Sequence, residues 1–297
     1  MIAAANDTAD DTPTNTAANS TDETHDGPRA DYGVIGGSGF YEFFDDAETV
    51  AVHTPYGPPS DNLVIGTLGE RRVAFIARHG QGHRFPPHQV NYRANLWALR
   101  SVGVRQIVAP CAVGSLKQDN GPGTIVVPDQ VVDRTWGRAH TFYDVEGPVV
   151  HVEFADPYCP LGRAAAVERA TEAGADVVDG GALVVINGPR FSTRAESQMH
   201  QGLGFSIVGM TAMPEAALAR ELAMCFTTVA LVTDHDAGVE GGAAVTHEQV
   251  LAAFAENVDR LKSVIAEVVT SLPAPDEPTS CRCQQALDGL RLPIELP

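Results

Sequence analysis

Apolar residues recur along the chain in short runs separated by turn-forming residues, and the period of each run assigns its element. Runs bounded by Gly, Pro and Asp predict strands over residues 32–35, 63–65, 73–77, 106–109, 124–127, 182–186, 206–208 and 226–232. Helical spacing falls between them, over residues 90–102, 161–173, 194–201 and 214–222. A last, longer helix opens at Thr246-His247-Glu248-Gln249, which reads as a capping box. Its apolar face carries Val250, Leu251, Phe254, Val258, Leu261, Ile265 and Val268. Strands alternating with helices predict an α/β layer structure on a largely parallel or mixed sheet. Every apolar run is too short or too interrupted by charge to span a bilayer.

The two ends break this pattern. Residues 1–30 are rich in Ala, Thr, Asn and Asp and nearly devoid of large apolar side chains. Such a segment cannot bury enough surface to offset its ordering entropy, so it reads as a disordered acidic tail. It has neither the basic start nor the apolar stretch of a secretory signal, and a soluble cytoplasmic protein is expected. One domain is expected over residues 31–272. Pro273 and Pro275 then stop the last helix, leaving a loosely held C-terminal tail over residues 273–297.

Charge narrows the partners. Across 297 residues, 38 Asp and Glu face 20 Lys and Arg, a formal net charge of −18, and Lys117 and Lys262 are the only lysines. A surface so acidic repels nucleic-acid phosphates, and no basic stripe or stacking platform offsets it. Acid-rich, lysine-poor composition is expected of a surface kept hydrated in concentrated salt. The cysteines Cys111, Cys159, Cys225, Cys281 and Cys283 are odd in number and scattered, unlike a secreted disulfide framework. Cys281 and Cys283 form the only close pair. The tail alone offers too few ligands for zinc, so no metal is expected, and the pair reads either as two solvent-facing thiols or as a redox-responsive clip.

Ligands of open α/β folds gather where strands end. Five clusters lie just after predicted strands. Residues 36–39 (Gly-Gly-Ser-Gly) bring backbone N–H groups and the Ser38 hydroxyl toward an anion, or form a plain turn. Their spacing misses a dinucleotide fingerprint, since Glu42 stands where the third glycine belongs, and no P-loop Lys follows. Arg78 and His79 offer donors to a phosphate or carboxylate, or form a solvated strand end. Residues 111–115 could present backbone N–H groups, or only a tight turn. Thr211, upstream of Pro214 and Glu215, faces an anion at a helix N-terminus or simply caps that helix. Asp234 and Asp236, two apart on an extended chain, point the same way and suit proton transfer or recognition of an amino group. His235 between them lacks the further ligands a metal needs. The donors suit a phosphate, and the carboxylates, which would repel it, must serve another part of the substrate.

Several of these segments carry a resemblance. Residues 33–39 (Gly-Val-Ile-Gly-Gly-Ser-Gly), 77–80 (Ala-Arg-His-Gly), 90–97, 188–197 (Gly-Pro-Arg-Phe-Ser-Thr-Arg-Ala-Glu-Ser), 209–215 (Gly-Met-Thr-Ala-Met-Pro-Glu) and 233–236 (Thr-Asp-His-Asp) resemble the trimeric purine nucleoside phosphorylase family, in its 5′-methylthioadenosine phosphorylase branch. The likeness runs in unbroken order from about Tyr32 to Leu272. It implies a single α/β domain around a distorted mixed sheet flanked by helices, assembled as a homotrimer or a dimer of trimers. It also implies phosphorolysis: inorganic phosphate, a co-substrate with no cofactor beside it, displaces adenine from C1′ of a nucleoside. By the same resemblance Ser38, Arg78, His79, the Ala112 backbone, Thr211 and Thr233 hold phosphate, and Met210 packs beneath the ribose. Phe191, Ser192, Asp234 and Asp236 enclose the base, with Asp234 acting at N7 and Asp236 at the exocyclic amine, or the two sharing or exchanging these tasks. His247 and Val250 lie toward the 5′ group, and His151 and Phe142 fall in the stretch that reaches a neighbour's site.

Two positions depart from that pattern. Cys111 stands where hydroxyl or amide side chains are usual, and a thiol is a poor donor. His247 stands where methylthio-specific enzymes are apolar, so it is either a solvent-facing residue of the capping box or a reader of a 5′-hydroxyl, which extends the substrates to adenosine. Asp at 234 and Ser at 192 favour a 6-amino purine, whose N–H a carboxylate accepts. The rivals are a nicotinamide-dependent dehydrogenase, disfavoured by the missing glycine, and a non-catalytic purine- or phosphate-binding module.

Overall fold

The computed structural model describes residues 29–37, 44, 47–239, 246–274, 277 and 280–297, with backbone alone at 247 and 249. The acidic tail up to residue 28 and Ser38 lie outside the described residues, as does the side chain of His247. Eleven strands form one mixed sheet: β1 (Tyr32–Gly36), β2 (Ala47–Val50), β3 (Leu63–Leu68), β4 (Arg71–Ala77), β5 (Gln106–Ser115), β6 (Ile125–Val127), β7 (Gln130–Arg134), β8 (Val177–Asp179), β9 (Ala182–Ile186), β10 (Ile207–Gly209) and β11 (Cys225–His235). Among the described residues five α-helices accompany them: α1 (Tyr92–Ser101), α2 (Pro160–Glu172), α3 (Arg194–Gly202), α4 (Ala212–Glu221) and α5 (His247–Ser271). The single α/β domain with a distorted mixed sheet is thus the fold expected. No helix among the described residues is long and apolar enough to cross a membrane.

Two apolar layers sandwich the sheet. On one side Leu96 and Leu99 of α1 pack with Leu218 and Leu222 around α4. On the other, Ala166 and Ala170 of α2 meet Val264, Ile265, Val268 and Val269 of α5. The small side chains of α2 let the C-terminal half of α5 approach closely. Asn91 starts α1 by accepting the Ala94 N–H at 3.2 Å.

The long central strand β5 organises the sheet. On one edge it pairs with β11 along its whole length, in parallel. On the other it pairs first with β1, up to Val34 opposite Val108, and then in the opposite sense with β10, from Gly114 opposite Val208. Residues 109–113 have neither neighbour on that edge. The sheet therefore splits there, and at such a reversal of strand order the ends of several strands face one crevice.

Three strands escape the sequence reading. β2 (Ala-Glu-Thr-Val) is exposed or half-buried, β7 carries Gln, Asp and Arg, and β8 spans only three residues. Peripheral strands lack the continuous apolar run that marks a central one. Residues 111–115, expected beyond the end of the strand over 106–109, instead continue β5. The C-terminal tail is not loosely held. The Pro273 carbonyl accepts from Tyr32 Oη and Gln106 Nε2, each at 2.8 Å, Cys281 and Cys283 are buried, and Ile294 and Leu296 pack against the main core.

Candidate active site

The split beside β5 opens into a cavity of about 710 Å³. Gly37 beyond β1, Arg78 and His79 beyond β4, Pro110 to Gly114 of β5, Gly209 to Thr211 beyond β10, and Thr233, Asp234 and Asp236 at the end of β11 all reach it. Five clusters far apart in sequence therefore converge because their strands end at one place.

Arg78 is 2% exposed and Glu215 1%. Glu215 takes Nε at 2.6 Å and Nη2 at 3.1 Å, while the Ile35 and Pro110 carbonyls accept from Nη2 and Nη1, each at 3.1 Å. Four of the five guanidinium N–H groups are thus engaged inside the protein, and the forked grip on an anion expected from the sequence is taken by Glu215. One Nη1 hydrogen remains for a ligand. Burial pushes the Glu215 carboxyl up, and the guanidinium that binds both its oxygens opposes that rise.

His79 also differs from expectation. Its Nδ1 lies 2.8 Å from the Phe85 carbonyl, which can only accept, so Nδ1 carries the hydrogen. Burial, with Arg78 and His83 adding positive charge, pushes the ring down to about 3. The neutral imidazole therefore turns a lone pair, not a donor, to its open side, and suits a phosphate that still carries a proton. Thr211 occupies the N-cap position of α4 but makes no capping bond with its own helix, so its hydroxyl is available to the cavity. Pro110 directs its carbonyl to the gap beside β5, where Arg78 meets it. Backbone groups of alternate strand residues face the same edge, which turns the Ala112 N–H toward the gap as well.

The opposite end is acidic. A Cβ built on Gly114 would lie 3.1 Å from Asp234 Oδ2 and 3.5 Å from Asp236 Cβ, so both acids close over this glycine and a larger residue would push them away. Burial pushes the Asp234 carboxyl up to about 6, helped by the charge of Asp236 and opposed by the Thr233 hydroxyl, which donates to Oδ1 at 2.8 Å. Thr233 thus turns its only donor to Asp234, with the Val113 carbonyl at 3.3 Å as the other acceptor in reach, rather than to an anion. Asp236 Oδ2 and Ser192 Oγ are buried without a protein partner. Such orphaned polar atoms at a cavity wall are ready for a ligand.

Phe191, Ser192 and Met210 line the space between the two ends. Gly188, at φ +61°, turns this loop so tightly that a Cβ there would sit 2.6 Å from Met210 Sδ. Arg190 clamps the loop by holding both oxygens of Glu196, at 2.8 and 2.7 Å, and Thr193 and Glu196 form a capping box at α3. Val250, Leu251 and Phe254 of α5 make an apolar wall, and His247 is the first residue of that helix.

Two residues expected in a stretch that reaches a neighbour's site stand apart from this chain's own cavity. Phe142 is fully buried within its own chain, edge-on to Tyr56 at 5.1 Å and tilted against Trp97 at 5.7 Å. His151 is exposed and outside the cavity wall. Glu215, Leu251 and Phe254 were not among the expected site residues. The signal for Glu215 was present: an acid in the otherwise apolar segment 212–219 needs a buried cation.

The model of the Phosphorylase superfamily matches residues 31–270. A purine nucleoside phosphorylase of Streptomyces coelicolor is 58% identical over 276 residues, which cover 91% of this chain and 98% of that protein. An S-methyl-5′-thioadenosine phosphorylase of Mycolicibacterium smegmatis is 56% identical over 266 residues, 89% of this chain and 99% of the other. The crystal structure of a methylthioadenosine phosphorylase from an antarctic soil metagenomic library superposes with a TM-score of 0.82 at 40% identity, over 88% of this chain and 92% of that one.

Proposed function

Because the chain belongs to the phosphorylase superfamily, we propose that its cavity carries out phosphorolysis of 5′-methylthioadenosine to adenine and 5-methylthioribose 1-phosphate. One observation carries the assignment of roles: the cavity joins an anion-binding end at Arg78, Thr211 and β5 to an acidic end at Asp234 and Asp236. Phosphate sits at the first, held by the remaining Arg78 N–H, the Thr211 hydroxyl and the Ala112 N–H, with the His79 lone pair beside it. Positioned against C1′, it avoids most of the entropic cost of meeting the sugar. The C1′–N9 bond breaks with its electron pair going to the purine, and a phosphate oxygen forms the new bond to C1′. Asp234, held up to about 6, gives its proton to N7 and regains one from solvent. Asp236, with Oδ2 unpartnered, accepts from the exocyclic amine. Ser192 and Phe191 complete the base site, Met210 underlies the ribose, and the wall of Val250, Leu251 and Phe254 fits an apolar methylthio group.

The reaction takes phosphate as co-substrate and asks for no cofactor. Exposed Trp136, Val145 and Val149 support a homotrimer, which would cover them. The net charge of −18 supports a cytoplasm of high salt as the working environment. Phosphate-dependent release of adenine from methylthioadenosine, read by ultraviolet absorbance with a coupled oxidase in high salt, tests the reading. Absence of release in the presence of phosphate would mean a binding module instead. A second reading, adenosine as co-equal substrate, rests on His247 and on the Streptomyces relative named for purine nucleosides. If His247 reads the 5′ group, His247→Val lowers kcat/KM for adenosine relative to methylthioadenosine, and an unmoved ratio removes this reading.

A further inference from the structure

A second cluster of reactive side chains stands apart from the cavity and plays no part in phosphorolysis. Cys159, Cys225, Cys281 and Cys283 are all buried, and their sulfur atoms lie within 4.8 Å of one another. They come from three separate parts of the chain. Cys159 is the N-cap residue of α2, Cys225 opens β11, and Cys281 and Cys283 flank Arg282 in the tail. Cys225 and Asp234 occupy opposite ends of β11, about 30 Å apart along the extended strand. The tail alone has too few ligands for a metal, as its sequence implies, but the body of the fold supplies the other two.

We propose that these four cysteines form a structural zinc site that fastens the C-terminal tail to the domain. Four thiolates and no open position are the donor set of a closed tetrahedral site. Zn–S bonds of about 2.3 Å place neighbouring sulfurs about 3.8 Å apart on a tetrahedron, and Cys225 Sγ and Cys281 Sγ are 3.6 Å apart. The fold holds the two body ligands in place: the Cys159 N–H donates to the Phe226 carbonyl and the Cys225 N–H to the Arg105 carbonyl, each at 2.8 Å. Each thiol gives its proton to solvent on ligation, so the loaded site is anionic. It then meets the positive end of the 13-residue helix α2, where Cys159 is the N-cap residue.

The test uses the full chain, purified under reducing conditions from zinc-supplemented growth and analysed by elemental mass spectrometry. The wild type should hold a single zinc ion per chain, and the double variant Cys281→Ser, Cys283→Ser should lose it. Cobalt(II) exchanged into the wild type should give a sulfur-to-metal charge-transfer band with the intense visible bands of tetrahedral coordination, a readout that needs no variant to fold. Chelation should make the chain after Leu272 sensitive to protease, and added zinc should restore protection. The proposal is overturned if the reduced wild type takes up neither zinc nor cobalt. Disulfides among these four residues in protein kept from oxidants, or zinc retained equally by the double variant, would overturn it too.

Discussion

Consider Glu215→Gln. The amide oxygen can keep the bond from Arg78 Nε, but the amide nitrogen then faces Nη2, donor against donor. The guanidinium, 2% exposed, keeps its charge with only the carbonyls of Ile35 and Pro110 as further partners. Removing one member of a buried, hydrogen-bonded ion pair costs about 3–5 kcal/mol, because the other is left uncompensated. For a domain of this size each kcal/mol moves Tm by about 2–4 °C, so the variant should melt about 6–20 °C below wild type. Thermal unfolding followed by circular dichroism in phosphate-free buffer reads the shift. The double variant Arg78→Met, Glu215→Leu separates charge from packing, since replacing both partners by apolar groups is often neutral. It should regain most of the lost Tm while phosphorolysis, which uses the Arg78 N–H, is lost. A fall of less than about 2 °C in Glu215→Gln would refute the argument that Glu215 neutralises Arg78.

Three further outcomes follow from the site. Asp234 is raised from 3.8 to about 6 in the folded chain, so the native state holds this proton more tightly than the unfolded one. Its contribution to stability is complete below pH about 4 and lost as pH rises through about 6, a decline that Asp234→Asn should flatten in plots of Tm against pH. kcat/KM for the nucleoside should fall over the same upper limb, and an identical profile in Asp234→Asn would exclude Asp234 as the acid. Thr233→Val removes the hydrogen bond that holds Asp234 down, so that limb should move to higher pH; a limb that stays or moves down would contradict the assigned partner. Cys111→Thr adds a hydroxyl donor to the anion end and should lower the phosphate KM about 2- to 10-fold, for a net hydrogen bond of about 0.5–1.5 kcal/mol. An unchanged KM would leave phosphate held there by backbone alone.

Much of this was legible in the sequence, for identifiable reasons. Central strands such as β1 and β9 and the amphipathic α5 announce themselves because their burial is continuous or periodic. Asp234 and Asp236 were placed together because alternation along a strand is a local rule. What escaped depends on distant partners. The Arg78 fork was free until Glu215, 137 positions away, was seen to hold it. The role of His79 turned on the Phe85 carbonyl, which fixes where its hydrogen sits. Cys281 and Cys283 read as solvent-facing or a clip until α2 and β11 brought two more sulfurs beside them. Phe142 took its expected role from the family pattern, whereas here Tyr56 and Trp97 enclose it.

The unpaired stretch of β5 has a consequence for how this site can change. Where main-chain groups help to form the wall, side chains there can drift with little penalty, and a cysteine can stand at 111 without abolishing the grip on the oxyanion. At the far end no peptide group can substitute for the two carboxylates that meet above Gly114. A change in what the pocket accepts is therefore open to side chains around the heterocycle and the sugar tip, while the attacking half rests in part on main-chain groups that no substitution removes.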